Sequence, residues 1–489
     1  MFPHSANDVA AILEQEKQVL PIGAQSSLTG GATPMGELVL STSRMRRIIE
    51  TTATHVTVEA GLTVAELQEH LASVGAWFPP APTYTGACAG GVTATNAAGP
   101  ATFKYGSTRD WIDGLVVVLA DGTILDVRRG AQRAVNGRFE VTTARGTVSI
   151  PVPTYAMPHV SKRSAGYFAS TGMDLVDLFI GSEGTLGVIT QVTFRILSPA
   201  PQVALALVPC TSESQGLSLA AALRDASIAT WRSDDPNGID ASAIEHMDRR
   251  SIEILREDGV DAKNNVFFPP GSELALLVQL ELAAGATAES AYADIENALG
   301  EGARDSALGR FCGLLDETGL LDTTELAMPG DHRRAEQLVA IREGVPAGVN
   351  QRVGNAKRDV DPRIEKTAAD MVVPFERFGE MSAIYRRGFE SRGLDFAIWG
   401  HLSDGNVHPN VIPRRWEDVT AGKEAIVEFG REAARLGGCP LAEHGVGRNP
   451  VKQALLRQLY GEDGIEQMRQ VKRALDPEWK LAPGVIFMR

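Results

Sequence analysis

At 489 residues the chain is too long for one ordinary core, so two or three domains are expected. Its 47 basic and 61 acidic residues leave a net charge of −14, which argues against nucleic acid or an anionic membrane as a partner. Cys88, Cys210, Cys312 and Cys439 stand far apart with no CxxC pair; this excludes a cysteine-ligated cluster and points to a reducing cytoplasm.

No apolar run reaches the ~18 residues that a transmembrane segment needs. The opening "MFPHSANDVAAILEQEKQVL" lacks the basic-then-apolar order of a secretory signal. "ELVLST" (37–42) and "VTVEAG" (56–61) read as strands. "TVAELQEHLASVG" (63–75) is a helix with a Thr63/Glu66 capping box and a Gly75 stop. "GLVVVLADGTILDV" (114–127) is a hairpin with Asp121-Gly122 as a two-residue turn, and "TLGVITQVTFRIL" (185–197) is another strand. Past residue 200 the glycines thin out. Strands "ALALVPC" and "ELALLVQLEL" alternate with helices near 216–226 and 286–299, as in an α+β sandwich. Helices are also expected over 331–349 and 375–391.

Three loops in the first part combine Gly, Ser, Thr and Ala with almost no charge: "PIGAQSSLTGGATP" (21–34), "GACAGGVTATNAAG" (86–99) and "GSEGTLGVIT" (181–190). Backbone N–H groups that must approach a diphosphate need small residues, because a Cβ blocks the way. None of the loops fits GxGxxG after a strand or GxxxxGK[ST], so neither the dinucleotide Rossmann nor the ATP-binding loop is supported.

Two later stretches carry chemistry, "GHLSDGNVHPN" (400–410) and "AEHGVG" (442–447). With Asp404-Gly405 as a two-residue turn, His401 would face His408 directly and both could reach one ion. Glu443 would complete a His–His–carboxylate set suited to zinc or manganese. His444, next to Glu443, is a further candidate, since a neutral imidazole can serve as a base near pH 7. Glu443 and His444 can serve one site only if "EHGVG" bends, which Gly445 and Gly447 allow.

Together these segments, with the closing "LDPEWKLAPGVIF", resemble the FAD-linked D-2-hydroxyacid dehydrogenase and glycolate oxidase FAD-subunit branch of the vanillyl-alcohol oxidase superfamily. The resemblance implies an α+β architecture: a PCMH-type FAD-binding domain of two α/β subdomains, and a cap with an antiparallel sheet covered by helices. The implied division is 1–200 for FAD, 201–440 for the substrate cap, and 441–489 returning to the FAD domain. It places Ile22, Gly23, Ala24, Gln25, Ser26 and Ser27 at the diphosphate. Gly90, Gly91, Thr93, Thr95, Asn96 and Gly99 would line the flavin, and Glu183, Gly184, Val188 and Ile189 the adenine–ribose end. Gln25 stands where covalently flavinylated members have histidine, so the FAD is expected to be non-covalent. Arg342 and Lys357 match the branch's carboxylate-binding positions, and Asn406 is assigned to the substrate with them. The branch has glycine where this chain has Ser403, and Pro346 stands where some relatives present a hydroxyl.

The expected reaction is oxidation of a D-2-hydroxyacid to a 2-oxoacid. Its electrons would pass to an external quinone, cytochrome or electron-transfer flavoprotein, and a homodimer is compatible with this reading. Two other readings use the same residues. One is a zinc hydrolase built on His401, His408 and Glu443; the other is a non-catalytic flavin-binding subunit of a larger complex.

Overall fold

The computed structural model describes residues 1–143, 146–300 and 305–489. They divide into two compact units, Met1–Ala200 with Ala433–Arg489, and Pro201–Glu432. None of the described helices is long and apolar enough to cross a membrane.

The first unit is built from two chain segments. Strands β1 (Val19–Ile22) and β2 (Leu38–Ser41) pair in parallel, and Val19 also bridges Leu481 from the tail. Val9, Leu13, Leu40, Val118, Val188 and Leu481 close one core around them. Beside this lies a five-stranded antiparallel sheet in the order β3 (Ile48–Thr51), β4 (His55–Glu59), β9 (Val188–Arg195), β5 (Ile112–Val118), β6 (Ile124–Arg128). The hairpin β7 (Arg138–Thr143)–β8 (Gly146–Pro151) completes the strands of this unit. The helix Val64–Ser73 carries the expected capping box, with Glu66 N–H on the Thr63 hydroxyl and Thr63 N–H on the Glu66 carboxylate. The hairpin of β5 and β6 forms with a longer turn than the sequence suggests. Leu119 N–H donates to Thr123 O (2.9 Å), so Ala120, Asp121 and Gly122 all belong to the loop.

Tail and first segment are stitched together by buried charges. Lys472 Nζ donates to Thr185 O (2.6 Å), Leu481 O (2.8 Å) and Asp476 Oδ2 (2.6 Å). Lys480 Nζ donates to Leu13 O and Ala120 O. Each ammonium out of water is thus met by oxygens, as burial of a charge demands.

The second unit holds an eight-stranded antiparallel sheet. Its order runs β13 (Glu325–Ala327), β10 (Gln202–Cys210), β12 (Leu274–Leu282), β11 (Ala241–Asp248), β16 (Phe396–His401), β17 (Asn406–Val411), β14 (Thr367–Ala368), with β15 (Met371–Val372) also on β17. One face of it, with Leu207, Leu277, Ala275, Met247 and Trp399, packs on Ile252, Ile254 and Leu255 of helix α1 (Arg249–Glu257) and on Leu338, Ile341, Val345 and Val349 of helix α2 (His332–Asp359). Gly344 and Gly348, one turn apart on α2, let the helices approach closely. A Cβ on Gly348 would stand 2.5 Å from Ile254 Cγ2, and one on Gly344 would stand 2.8 Å from Leu255 Cδ2. This contact fixes the rotation of α2 about its axis.

Ile341 lies wholly within that core. Ile341→Ala should destabilise the protein by about 2–5 kcal/mol, read as a lower urea midpoint with an unchanged slope.

Candidate functional site

In the second unit, β16 and β17 are joined by the 3-10 turn Leu402–Asp404 and by Gly405 at φ +74°. The register differs from the expected two-residue turn. His401 pairs with Asn406, and His408 pairs with Trp399. The extra turn residues move the pairing by two positions, an even number, so both imidazoles keep the same sheet face as diagonal neighbours. Their ring centroids are 5.6 Å apart and their planes nearly perpendicular, at 89°. Ser403 is buried; its hydroxyl accepts the N–H of Ile244 (3.2 Å) and its carbonyl accepts from Arg224. A glycine there could not make the first of these bonds.

Each imidazole has a buried carboxylate beside its Nδ1. Glu245 of β11 sits directly across from His401, and its Oε1 accepts the Nδ1–H of that ring. Its Oε2 accepts from Arg342 Nε at 2.7 Å. Burial pushes the Glu245 carboxyl up, but the attraction of His401 and Arg342 outweighs it, and the group is held well below the usual carboxylate range. Asp370 Oδ1 stands 3.5 Å from His408 Nδ1 and accepts from Asn406 Nδ2 at 3.2 Å. Asn410 shares the face of His408; its Nδ2 donates to His408 O, while its buried Oδ1 meets no donor among the described residues. Metal-binding histidines usually hold their second nitrogen on such an acceptor, leaving Nε2 as the ligand atom, so the donor set fits a divalent ion.

Arg342 projects from α2, and Lys357 lies on the same unbroken helix, fifteen residues later. That separation is about 22 Å along the axis, and Lys357 is exposed. The two cannot close on one small carboxylate, so Lys357 stands apart from the Arg342 site. Pro346, four residues after Arg342, has no N–H to give that residue's carbonyl. Asn406 is fully buried, and its amide is turned onto Asp370 and Met371 O (2.9 Å).

In the first unit the three glycine-bearing loops meet. Each contains one non-glycine residue in the left-handed region: Gln25 (φ 54°), Asn96 (φ 49°) and Glu183 (φ 51°). Strained conformations of this kind mark built sites. Glu183 N–H donates to Ala94 O (2.8 Å) and Gly181 N–H to Thr93 O (3.0 Å), which joins the third loop to the second. The Glu183 carboxylate accepts from Val446 N–H and Gly447 N–H, both at 2.8 Å. Arg448 N–H donates to Thr29 O (2.9 Å), which brings the first loop to the same turn. Gly445 (φ +73°) and Gly447 (φ +58°) make the bend that "EHGVG" requires; a Cβ on Gly447 would stand 2.3 Å from Thr29 O. Glu443 Oε2 lies 3.1 Å from the fully buried Lys162 ammonium, and Oε1 lies 3.5 Å from Nε2 of the part-exposed His444.

The first loop tests the fit of a diphosphate. Ala24, Gln25 and Ser26 are exposed, and the N–H groups of Gln25, Ser26 and Ser27 meet no protein acceptor among the described residues. Successive N–H groups of this kind form an anion-binding nest. On the short helix Ala89–Thr95, Gly91 and Thr95 face outward, and a Cβ on Gly91 would enter open space. These residues fit FAD. Other expected positions serve packing instead. Gly90 lies against Ala60, Gly99 against Ala81 O, and Gly184 against Pro21. The side chains of Ile22, Thr93, Val188 and Ile189 are buried.

Residues 216–486 match the family of FAD linked oxidases, C-terminal domain, and residues 1–128 match the FAD binding domain family. The chain belongs to the FAD-linked oxidases. It is similar, at 27% identity over 99% of its length and 88% of the relative's, to D-2-hydroxyglutarate dehydrogenase of Xanthomonas citri pv. viticola. It is 27% identical over its whole length, and 90% of the relative's, to D-lactate dehydrogenase of Archaeoglobus fulgidus. Its fold is shared with 4-ethylphenol oxidase from Gulosibacter chungangensis (TM-score 0.65, 15% identity, 100% of this chain and 88% of that one).

Within this FAD-linked oxidase the residues not picked out from sequence are Glu245, Asp370, Asn410 and Lys162. "AIEHMD" offered the one usable signal, a carboxylate amid apolar strand residues, which is rarely buried without a partner.

Burial pushes the Glu183 carboxyl up to about 7, against the opposing pull of the Val446 and Gly447 N–H groups. A folded value above the ordinary 4.5 means the folded chain holds this proton more tightly. Its contribution is therefore full below about pH 4.5 and is lost as pH rises through about 7. Glu183→Gln should flatten a fall of roughly 3 kcal/mol across that window, measured by thermal unfolding at a series of pH values.

Proposed function

We propose that this FAD-linked oxidase is a dehydrogenase of D-2-hydroxyacids, converting them to 2-oxoacids. FAD is held non-covalently by the unit Met1–Ala200 with Ala433–Arg489, and the substrate by the cap Pro201–Glu432. The observation that carries the reading is the part-buried Arg342–Glu245–His401 chain, with His408 on the same face. A 2-hydroxyacid presents a carboxylate and a hydroxyl on adjacent carbons. The cap offers a guanidinium next to an imidazole pair. The relatives' names, D-2-hydroxyglutarate dehydrogenase and D-lactate dehydrogenase, support the same substrate class.

FAD, when bound, supplies the acceptor for the hydride leaving the substrate α-carbon. A zinc or manganese ion held by His401, His408 and Glu443 would lower the pKa of the substrate hydroxyl. The chain's own residues divide the remaining work. Arg342 has its Nε engaged by Glu245, which leaves its two Nη groups for the substrate carboxylate. Lys162 fixes the direction of the Glu443 carboxylate. His444 takes the hydroxyl proton. Electrons then pass to an external quinone, cytochrome or electron-transfer flavoprotein. A relative from Kluyveromyces lactis named D-lactate dehydrogenase [cytochrome], mitochondrial supports a separate acceptor.

The test is anaerobic mixing of the yellow protein with D- and L-2-hydroxyacids. Bleaching by D-enantiomers supports the reading, and flavin that no 2-hydroxyacid bleaches overturns it. His444→Ala should retain flavin and lose at least about 100-fold in bleaching rate; a full-rate variant refutes the base assignment. His401→Ala should lower bound metal, measured by elemental analysis of the purified protein. Undiminished metal shows that the ligand set is wrong.

A further inference from the structure

Glu245 is placed to do more than neutralise a part-buried arginine. Its two oxygens are used separately, Oε1 by His401 and Oε2 by Arg342, and its side chain is only 6% exposed. The partners come from distant parts of the chain, 156 and 97 residues away. Strand pairing puts Glu245 directly opposite His401, so this geometry is built into the sheet and not into a mobile loop.

An ionised carboxylate only accepts hydrogen bonds. His401 must therefore carry a hydrogen on Nδ1, and its Nε2, the atom open to an ion when the ring is neutral, points away from Glu245. Arg342 must give its Nε–H, so its terminal Nη groups also point away. Moving either partner drags the shared carboxylate and with it the other partner. A merely structural ion pair would need Glu245 and Arg342 alone, and the tautomer of His401 would not depend on it.

We propose that Glu245 is a positioning residue that sets both the ligand nitrogen of His401 and the aim of Arg342, so that ion binding and carboxylate binding in the cap are coupled through one side chain. This rests on the dehydrogenase reading given above, in which His401 ligates the ion and Arg342 holds the substrate carboxylate. In Glu245→Gln the amide has one acceptor where two are needed. The NH2 group must then face a donor on Arg342 or turn His401 to the wrong tautomer.

The experiment uses the full chain loaded with flavin and stripped of metal by chelation. Mn2+ and Zn2+ are titrated calorimetrically into wild type, Glu245→Gln and Glu245→Asp. Flavin content and melting temperature are read on the same samples. Glu245→Gln should bind Mn2+ about 10- to 100-fold more weakly, with wild-type flavin content and a melt that stays cooperative at a lower temperature. At saturating Mn2+ its KM for D-lactate, or for whichever D-2-hydroxyacid bleaches wild type, should stay raised by roughly tenfold.

Wild-type ion affinity in Glu245→Gln overturns the His401 half. A KM that returns to wild type at saturating ion overturns the Arg342 half. If Glu245→Gln loses flavin or its cooperative melt, Glu245→Asp decides: a folded Asp variant with wild-type affinity and KM overturns the proposal. Wild-type protein that binds neither ion overturns the metal reading itself and this inference with it. That outcome is separate from one in which wild type binds and the variants bind equally.

Discussion

A buried imidazole must have one nitrogen assigned a hydrogen, and in this protein a carboxylate makes the assignment. The Glu245–His401 contact settles which nitrogen Glu245 holds, and it does so on a sheet face where Leu277, Met247 and Trp399 are apolar neighbours. A polar island of this kind survives in a core only when its members satisfy one another. Asp370, Asn406 and the main chain around Met371 extend the island toward His408. The same device recurs in the first unit, where the Glu183 carboxylate gathers two N–H groups of the Gly445–Gly447 bend.

The scaffold explains why these groups stay in place. The site-bearing face of the sheet is the one that packs on α1 and α2, so its strands cannot slide without breaking that core. Close approach at Gly344 and Gly348 fixes the rotation of α2, and Arg342 faces the sheet as a consequence. Pro346 leaves the carbonyl of Arg342 without its usual donor, which sets this turn apart from the rest of the helix. In the first unit, the positive backbone angles at Asn96 and Glu183 are supported by hydrogen bonds from neighbouring segments and the tail.

Local signals were the legible ones. The capping box at Thr63, the bend at Gly445 and Gly447, and the shared face of His401 and His408 depend on residues a few positions apart. Three loops of small residues, in order, were enough to point to FAD. The hairpin register was not legible, because a 3-10 turn and a two-residue turn draw on the same Ser-Asp-Gly-Asn run. Glu245, Asp370 and Lys162 act through partners between 36 and 281 positions away, and no periodicity reports such pairings. The spacing of Arg342 and Lys357 needed the structure, because it depends on whether the helix runs on past proline. Continuous helix through Pro346 holds the two residues about 22 Å apart.

One unit is contiguous in the chain and the other is not. During ribosomal synthesis, Pro201–Glu432 has all its strands available before the tail emerges. The flavin-holding unit does not. The ammonium of Lys480 that seals Leu13 O and Ala120 O, and Leu481, the tail residue bridged to Val19, arrive last. The nascent N-terminal segment therefore waits, with its Val9–Leu13–Val19 core unsealed, while more than two hundred intervening residues are made. A prematurely terminated chain would expose this apolar surface to chaperones and proteases.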